Sequence, residues 1–334
     1  MARRFSKRSS KRRRLIYNIS ALFVIAAAVF FVYGPSVKNT DKTSAALADT
    51  NVGNETVPPA PAAKPEPKLL EAAPAPAAEP NSRVTQLIAE AMSHLEATPA
   101  RIIEARDRLN DILALHISGQ QRAYVKEQLS KLADKWLFSR TIFPEDRLCG
   151  VYEVKPGDLF VTIGKQFKVP YEILSELNGI SRPGALQAGQ KIKVINGPFH
   201  ARIYRSSFTM DLYLQKTFVR SFPVGLGKPG METPTGLWAV KAGGKLIKPS
   251  WTDPISGRRY EADDPDYPLG SRWVGLEGLQ GDTVGRTGFA IHGTKKPQEI
   301  GTASSQGCVR LYDSDAILVY NLLIPVYSQV EIIE

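Results

Sequence analysis

From Phe199 to the C-terminus the apolar residues come in short runs divided by turn residues. Ile203-Tyr204, Leu212-Tyr213-Leu214, Phe218-Val219, Phe222 and Val224 sit in such runs, and none keeps a helical period long enough to make an amphipathic scaffold. That pattern excludes a helix bundle and dictates a largely β domain over 199–334. Gly225–Gly230 lacks the strand-to-helix spacing of a phosphate-binding loop, so it reads as a turn. Thr233-Pro-Thr-Gly236 leads into another strand. Pro249-Ser-Trp251, Pro268-Leu-Gly270 and Trp273-Val-Gly-Leu276 follow, and the last strands are expected near Val319–Leu323 and Val330–Ile333.

Two smaller modules precede this domain. Over 81–140 the period is helical: Val84, Leu87, Ile88, Ala91 and Leu95 form one stripe, and Ile102, Ile103, Ala105, Leu109, Ile112 and Leu113 a second. Tyr124, Val125, Leu129, Leu132, Trp136 and Leu137 form a third. Thr98-Pro99 reads as the start of the second helix and Gly119 as punctuation before the third. Over 150–196 the order is strand, helix, helix, strand: Tyr152–Val154, a helix after Asp158, a helix from Pro170 stopped at Asn178-Gly179, and Lys191–Val194.

The first 80 residues hold no pattern for a packed core. Residues 1–14 form a basic tail, and 15–33 are an apolar run close to the ~20 residues that cross a bilayer. The basic block fixes the N-terminus in the cytoplasm, so 15–33 reads as a single-pass anchor and the rest of the chain lies outside the cytoplasm. A signal peptide cleaved near Ala46-Leu47-Ala48 is the alternative; the run is longer than the usual apolar region and ends well before that site. Residues 34–80, rich in Pro and Ala, read as a disordered, extended tether.

Charge and composition exclude other classes. The formal net charge is +10, but Arg3, Arg4, Lys7, Arg8, Lys11, Arg12, Arg13 and Arg14 supply +8, leaving +2 (10 − 8) for everything else. A nucleic-acid-binding fold would carry its excess on a folded face, so no nucleic-acid partner is expected. The four histidines are scattered and there is no HExxH or CxxC, so neither a metal site nor a cofactor is expected. Two cysteines, Cys149 and Cys308, cannot form a disulfide framework; a single bridge between them would disable Cys308 as a nucleophile.

Ile291–Leu311 places His292 and Cys308 in one short stretch of loop-forming residues. An imidazole can take a thiol proton near neutral pH, and Gly307 lets the backbone approach a reacting carbonyl. The N–H groups of Gly307 and Cys308 are candidate oxyanion donors, and the Gly293 carbonyl is placed to fix the His292 tautomer.

These residues, His292-Gly293-Thr294, a spacer, then Ser305, Gly307, Cys308, Val309 and Arg310, resemble the HGT…S-x-G-C-[IV]-R signature of the L,D-transpeptidases of the YkuD family. The landmarks G-x-G…T-P-x-G, P-x-W and P-L-G extend the resemblance across 199–334, with Tyr267 in place of the usual Asn and Gln306 in place of the common His. The 150–196 segment resembles a LysM domain through Tyr152, Val154, Gly157, Asp158, Ile163, Leu174, Asn178, Gly189, Gln190, Ile192 and Val194. Leu159 stands where that family carries Thr or Ser.

The resemblance implies a small βααβ LysM module and a mainly β catalytic domain of the YkuD sandwich or barrel kind, which with the N-terminal transmembrane helix and the helical segment read above make a multidomain protein. It implies a peptidoglycan L,D-transpeptidase in which Cys308 attacks the tetrapeptide stem, His292 serves as base and then acid, and an amine accepts the acyl group. Arg310 would hold a substrate carboxylate or brace the loop; Ser305, Thr294 and Gln306 would position the site or substrate. Gly157, Asp158 and Asn178 would meet the glycan strand. The expected location is the inner membrane of a bacterium, with the folded part in the periplasm or wall. An L,D-carboxypeptidase using water, and a non-catalytic wall-binding protein, are the alternatives.

Overall fold

The computed structural model describes residues 81–334; the tail, anchor and tether expected within 1–80 lie outside the described residues. Among the described residues no helix is long and apolar enough to cross a membrane.

Three helices come first: α1 (Ser82–Glu96), α2 (Ile102–Leu113) and α3 (Gly119–Trp136). Asn81 caps α1, its side chain accepting the Arg83 N–H at 3.0 Å. Ser118 and Gln121 close a reciprocal capping box on α3, so Gly119 is the first helical residue and not a break. Thr98-Pro99 does not start α2. The chain is still turning there, with the Arg101 N–H donating to the His94 carbonyl at 2.9 Å, and α2 begins after Arg101 without a side-chain cap. Leu109, Leu129 and Trp136 are fully buried among the three helices.

The βααβ module follows as expected: β1 (Cys149–Glu153), α4 (Phe160–Phe167), α5 (Tyr171–Asn178) and β2 (Lys191–Ile195), with β1 and β2 antiparallel. Gly179 ends α5 at φ +65°, a left-handed turn that suits glycine. Asp158 is not a helix cap. Its Oδ2 accepts the Lys155 N–H and the Tyr152 hydroxyl, each at 2.8 Å, so it locks the turn before α4 instead.

The third part contains β3 (Phe199–Tyr204), β4 (Thr209–Leu214), β5 (Thr217–Pro223), β6 (Leu226–Gly227), β7 (Gly236–Ile247), β8 (Trp251–Thr252) and β9 (Arg259–Tyr260). It continues with β10 (Arg272–Gln280), β11 (Ala290–His292), β12 (Ala303–Ser305), β13 (Val309–Arg310), α6 (Asp313–Leu322) and β14 (Gln329–Ile333). Eight strands form one sheet in the order β13-β11-β10-β7-β14-β3-β4-β5. The sheet curls until its ends meet: just past β5, Gly225 exchanges two backbone hydrogen bonds with Arg310 of β13, at 2.9 and 2.8 Å. This closure gives the barrel character the sequence implied, and it places β13 at the seam.

The strand expected over Val319–Leu323 is the end of α6. Its apolar, partly β-branched run imitates a buried strand, but Asp313 and Asp315 in the first turn favour a helix start, and Ala316, Val319, Tyr320 and Leu322 are buried.

The helical segment is fastened to both other parts. It covers edge strand β5, where the Asn110 side chain accepts the Phe218 N–H at 3.0 Å. Lys126 of α3 donates to the buried Asp211 of β4 at 2.5 Å. Lys193 of β2 is 2% exposed. Its three ammonium protons go to the carbonyls of Trp136, Ser139 and Thr141, at 2.5, 2.9 and 2.7 Å, which ends α3 and seals it to the βααβ module.

Candidate active site

His292 lies on β11, between Trp273 of β10 and Arg310 of β13. Cys308 is two residues before Arg310, just outside β13, whose Arg310 pairs with His292. The two side chains open into one cleft of about 550 Å³. Its walls include Trp251 and Tyr260 from the β8–β9 hairpin, together with Leu269 and Thr294.

The histidine is held on several sides. The Gly293 carbonyl is 2.6 Å from Nδ1, and the Trp273 ring stacks at 5.5 Å between centroids and 13° between planes. A proton on Nδ1 satisfies that carbonyl and leaves Nε2 as a base. Burial pushes the imidazole down to about 4; the Gly293 carbonyl works the other way, Arg310 adds to the lowering, and the Leu269 carbonyl again opposes it.

The Cys308 sulfur faces the Gly288 carbonyl at 3.6 Å. Burial pushes the thiol up to about 11, against the Ala290 N–H and Arg310, which favour the thiolate. Burial thus favours the neutral form of each group. Both cysteines are free thiols, so no bridge joins Cys149 to Cys308.

The turn before Cys308 is built around Ser305, which is 1% exposed. Its Oγ donates to the Cys308 carbonyl at 2.7 Å and accepts the Gly307 N–H at 3.1 Å. Ser305 thus shapes the turn before Cys308, and the Gly307 N–H expected at an oxyanion donates to it. Gly307 has φ +109°, and a Cβ there would stand 2.8 Å from the Phe289 ring, so only glycine fits. Gly225–Gly230 is more than a turn: β6 pairs with β12, and the Lys228 N–H donates to the Ser305 carbonyl at 2.9 Å.

Arg310 lines the cleft, but its Nη1 is closed on Glu299. That contact braces the loop with one of the five guanidinium N–H donors. Thr294 accepts the Lys296 N–H at 3.0 Å, a local turn contact. The Gln306 amide reaches Asp253, between β8 and β9, at 3.3 Å, tying the hairpin to the turn before Cys308.

The three residues expected to meet glycan are occupied within their module. Gly157 supplies a turn at φ +87°, and Asp158 holds Lys155 and Tyr152. Asn178 donates to the Leu174 and Lys193 carbonyls and accepts the Lys193 N–H. Leu159 is 58% exposed beside them.

Several site residues escaped the sequence reading. Trp273 was visible only as the start of the Trp273–Leu276 run. Gly288 and Ala290 act through backbone atoms, which carry no side-chain signature. Glu299 lies in the spacer, where only its charge opposite Arg310 could have marked it.

Comparison with known proteins matches 198–332 to the L,D-transpeptidase catalytic domain and 152–194 to the LysM domain. The putative L,D-transpeptidase YkuD of Bacillus subtilis is 30% identical over 50% of this chain and 88% of its own length. The probable L,D-transpeptidase ErfK/SrfK of Escherichia coli is 34% identical over 56% of each chain. The solved L,D-transpeptidase 3 of Mycobacterium tuberculosis is 20% identical over 44% of this chain and 66% of its own, at a TM-score of 0.33. The chain belongs to the YkuD family of L,D-transpeptidases, with a LysM domain ahead of the catalytic domain.

Proposed function

We propose that the chain cross-links peptidoglycan stem peptides through a thioester on Cys308. The observation that carries this reading is that His292 and Cys308 line one cleft, with Nδ1 tied to the Gly293 carbonyl, which leaves Nε2 to act as a base. In the first step Nε2 takes the thiol proton as Sγ bonds to the L-centre carbonyl of the diamino acid. The tetrahedral intermediate collapses to the thioester, and the terminal D-Ala amine leaves with the proton from His292. An acceptor amine then attacks the thioester, His292 removes its proton, and the new amide forms as the thiol is restored. With the Gly307 N–H held by Ser305, the Cys308 N–H is the oxyanion donor in this reading.

The LysM domain keeps the enzyme on the glycan of an insoluble substrate, and an anchor at 15–33 with a tether at 34–80 keeps it at the inner membrane; both raise the effective concentration of substrate. The experiment is incubation of the full chain with peptidoglycan and mass spectrometry of the muropeptides. Cross-linked dimers that disappear with Cys308→Ala support transpeptidation; tripeptides without dimers mean that water is the acceptor; unchanged muropeptides overturn both.

A further inference from the structure

We propose that Asp313 is a positioning residue for the reacting pair, its carboxylate fixing the Gly293 backbone, whose carbonyl holds the His292 ring, against the Gly270–Ser271 turn. This rests on the reading of His292 and Cys308 as that pair. Asp313 is the first residue of α6 and is half-buried. Its Oδ1 accepts the Ser271 N–H at 2.6 Å. Ser271 follows Gly270, whose backbone packs against Gly293.

The same oxygen lies against Gly293, where a Cβ would collide with it. Gly270 and Gly293 are back to back: a Cβ on Gly270 would stand 2.7 Å from the Gly293 Cα. Gly270 also has φ +66°. The two glycines thus let one carboxylate approach both segments. From there the Gly293 carbonyl reaches Nδ1 at 2.6 Å, and the Gly293 N–H donates to the Arg272 carbonyl at 3.3 Å. The chain of contacts runs from α6 to the ring without passing through Cys308.

A second role for an acid at this position is to favour the start of α6 through its charge. The two roles separate by substitution. Asp313→Asn keeps an oxygen acceptor for Ser271 and loses the charge; Asp313→Ala loses both; Asp313→Glu keeps the charge and displaces the oxygen. Two readouts apply to the full chain. One is the tautomer of His292 by ¹⁵N NMR near neutral pH, assigned with His292→Gln. The other is the rate of Cys308 acylation by a carbapenem under single-turnover conditions, with binding of the intact compound measured separately.

In wild type and Asp313→Asn the Nδ1–H tautomer should dominate, and their acylation rates should agree within a few-fold. In Asp313→Ala and Asp313→Glu the tautomers should mix and acylation should slow by roughly 10²-fold at unchanged binding, the usual consequence of a small misplacement. If Asp313→Ala does not fold, Asp313→Glu decides the question alone. An intact tautomer in folded Asp313→Ala or Asp313→Glu overturns the proposal, as does Asp313→Asn failing along with Asp313→Ala. If wild type is never acylated, the functional reading fails and the tautomer still tests the role of Asp313.

Discussion

The buried neutral state of His292 makes a quantitative prediction for stability. His292 is 3% exposed and its imidazole is pushed down to about 4 by burial, from an ordinary value of 6.5. Below pH 6.5 the unfolded chain takes up a proton that the folded chain refuses, so stability falls as the pH falls, until the folded imidazole titrates near 4. Binding one proton at these two values costs the fold about 2 kcal/mol by pH 5 and about 3 kcal/mol by pH 4. His292→Gln removes the titration and retains a polar side chain. Urea unfolding of both proteins from pH 7 to pH 4 isolates this residue, because all other groups cancel in the difference, including His200, whose imidazole burial also lowers. Wild type should lose about 3 kcal/mol more than the variant over that range. Parallel pH curves would refute the claim that the ring is buried and neutral.

Alkylation of Cys308 by iodoacetamide should be slow at pH 7 and rise steadily toward pH 11, because the raised thiol keeps the thiolate scarce; a plateau by pH 8 would mean a thiolate–imidazolium pair. Cys149, 4% exposed and pushed up to about 12 by burial, should not react in the folded protein. Lys126→Met strands the buried Asp211 carboxylate and should cost roughly 3–5 kcal/mol by urea unfolding, with most of it recovered in the Lys126→Met/Asp211→Asn double variant. Gly307→Ala forces a Cβ into the left-handed region and against Phe289; it should lose acylation and cost about 1–3 kcal/mol of stability.

The parts of the fold that the sequence declared were those with a local rule. Alternation in short runs announced the β domain, and Pro170 with Gly179 bracketed α5. The β-branched run at Val319 misled because a buried helix and a buried strand share that composition, and the burial that decides comes from the sheet beneath. Within the site, His292, Gly293 and Cys308 were readable because the chemistry restricts residue type. Asp158 and Asn178 close turns and strands of their own module, and the sequence does not separate that use of a polar group from contact with a sugar. The docking of the helical segment was silent in sequence: Lys193, Lys126 and Asn110, which fasten it, reach partners 52 to 108 residues away, and nothing local marks such pairs.

The central claim is that Cys308 is the nucleophile of an acyl-transfer site. Its most direct test is intact-protein mass spectrometry of wild type, Cys149→Ala and Cys308→Ala after exposure to a carbapenem, whose strained ring carbonyl imitates the donor. Wild type and Cys149→Ala should each gain the mass of one compound, and Cys308→Ala should gain none. An adduct that survives Cys308→Ala would contradict the account.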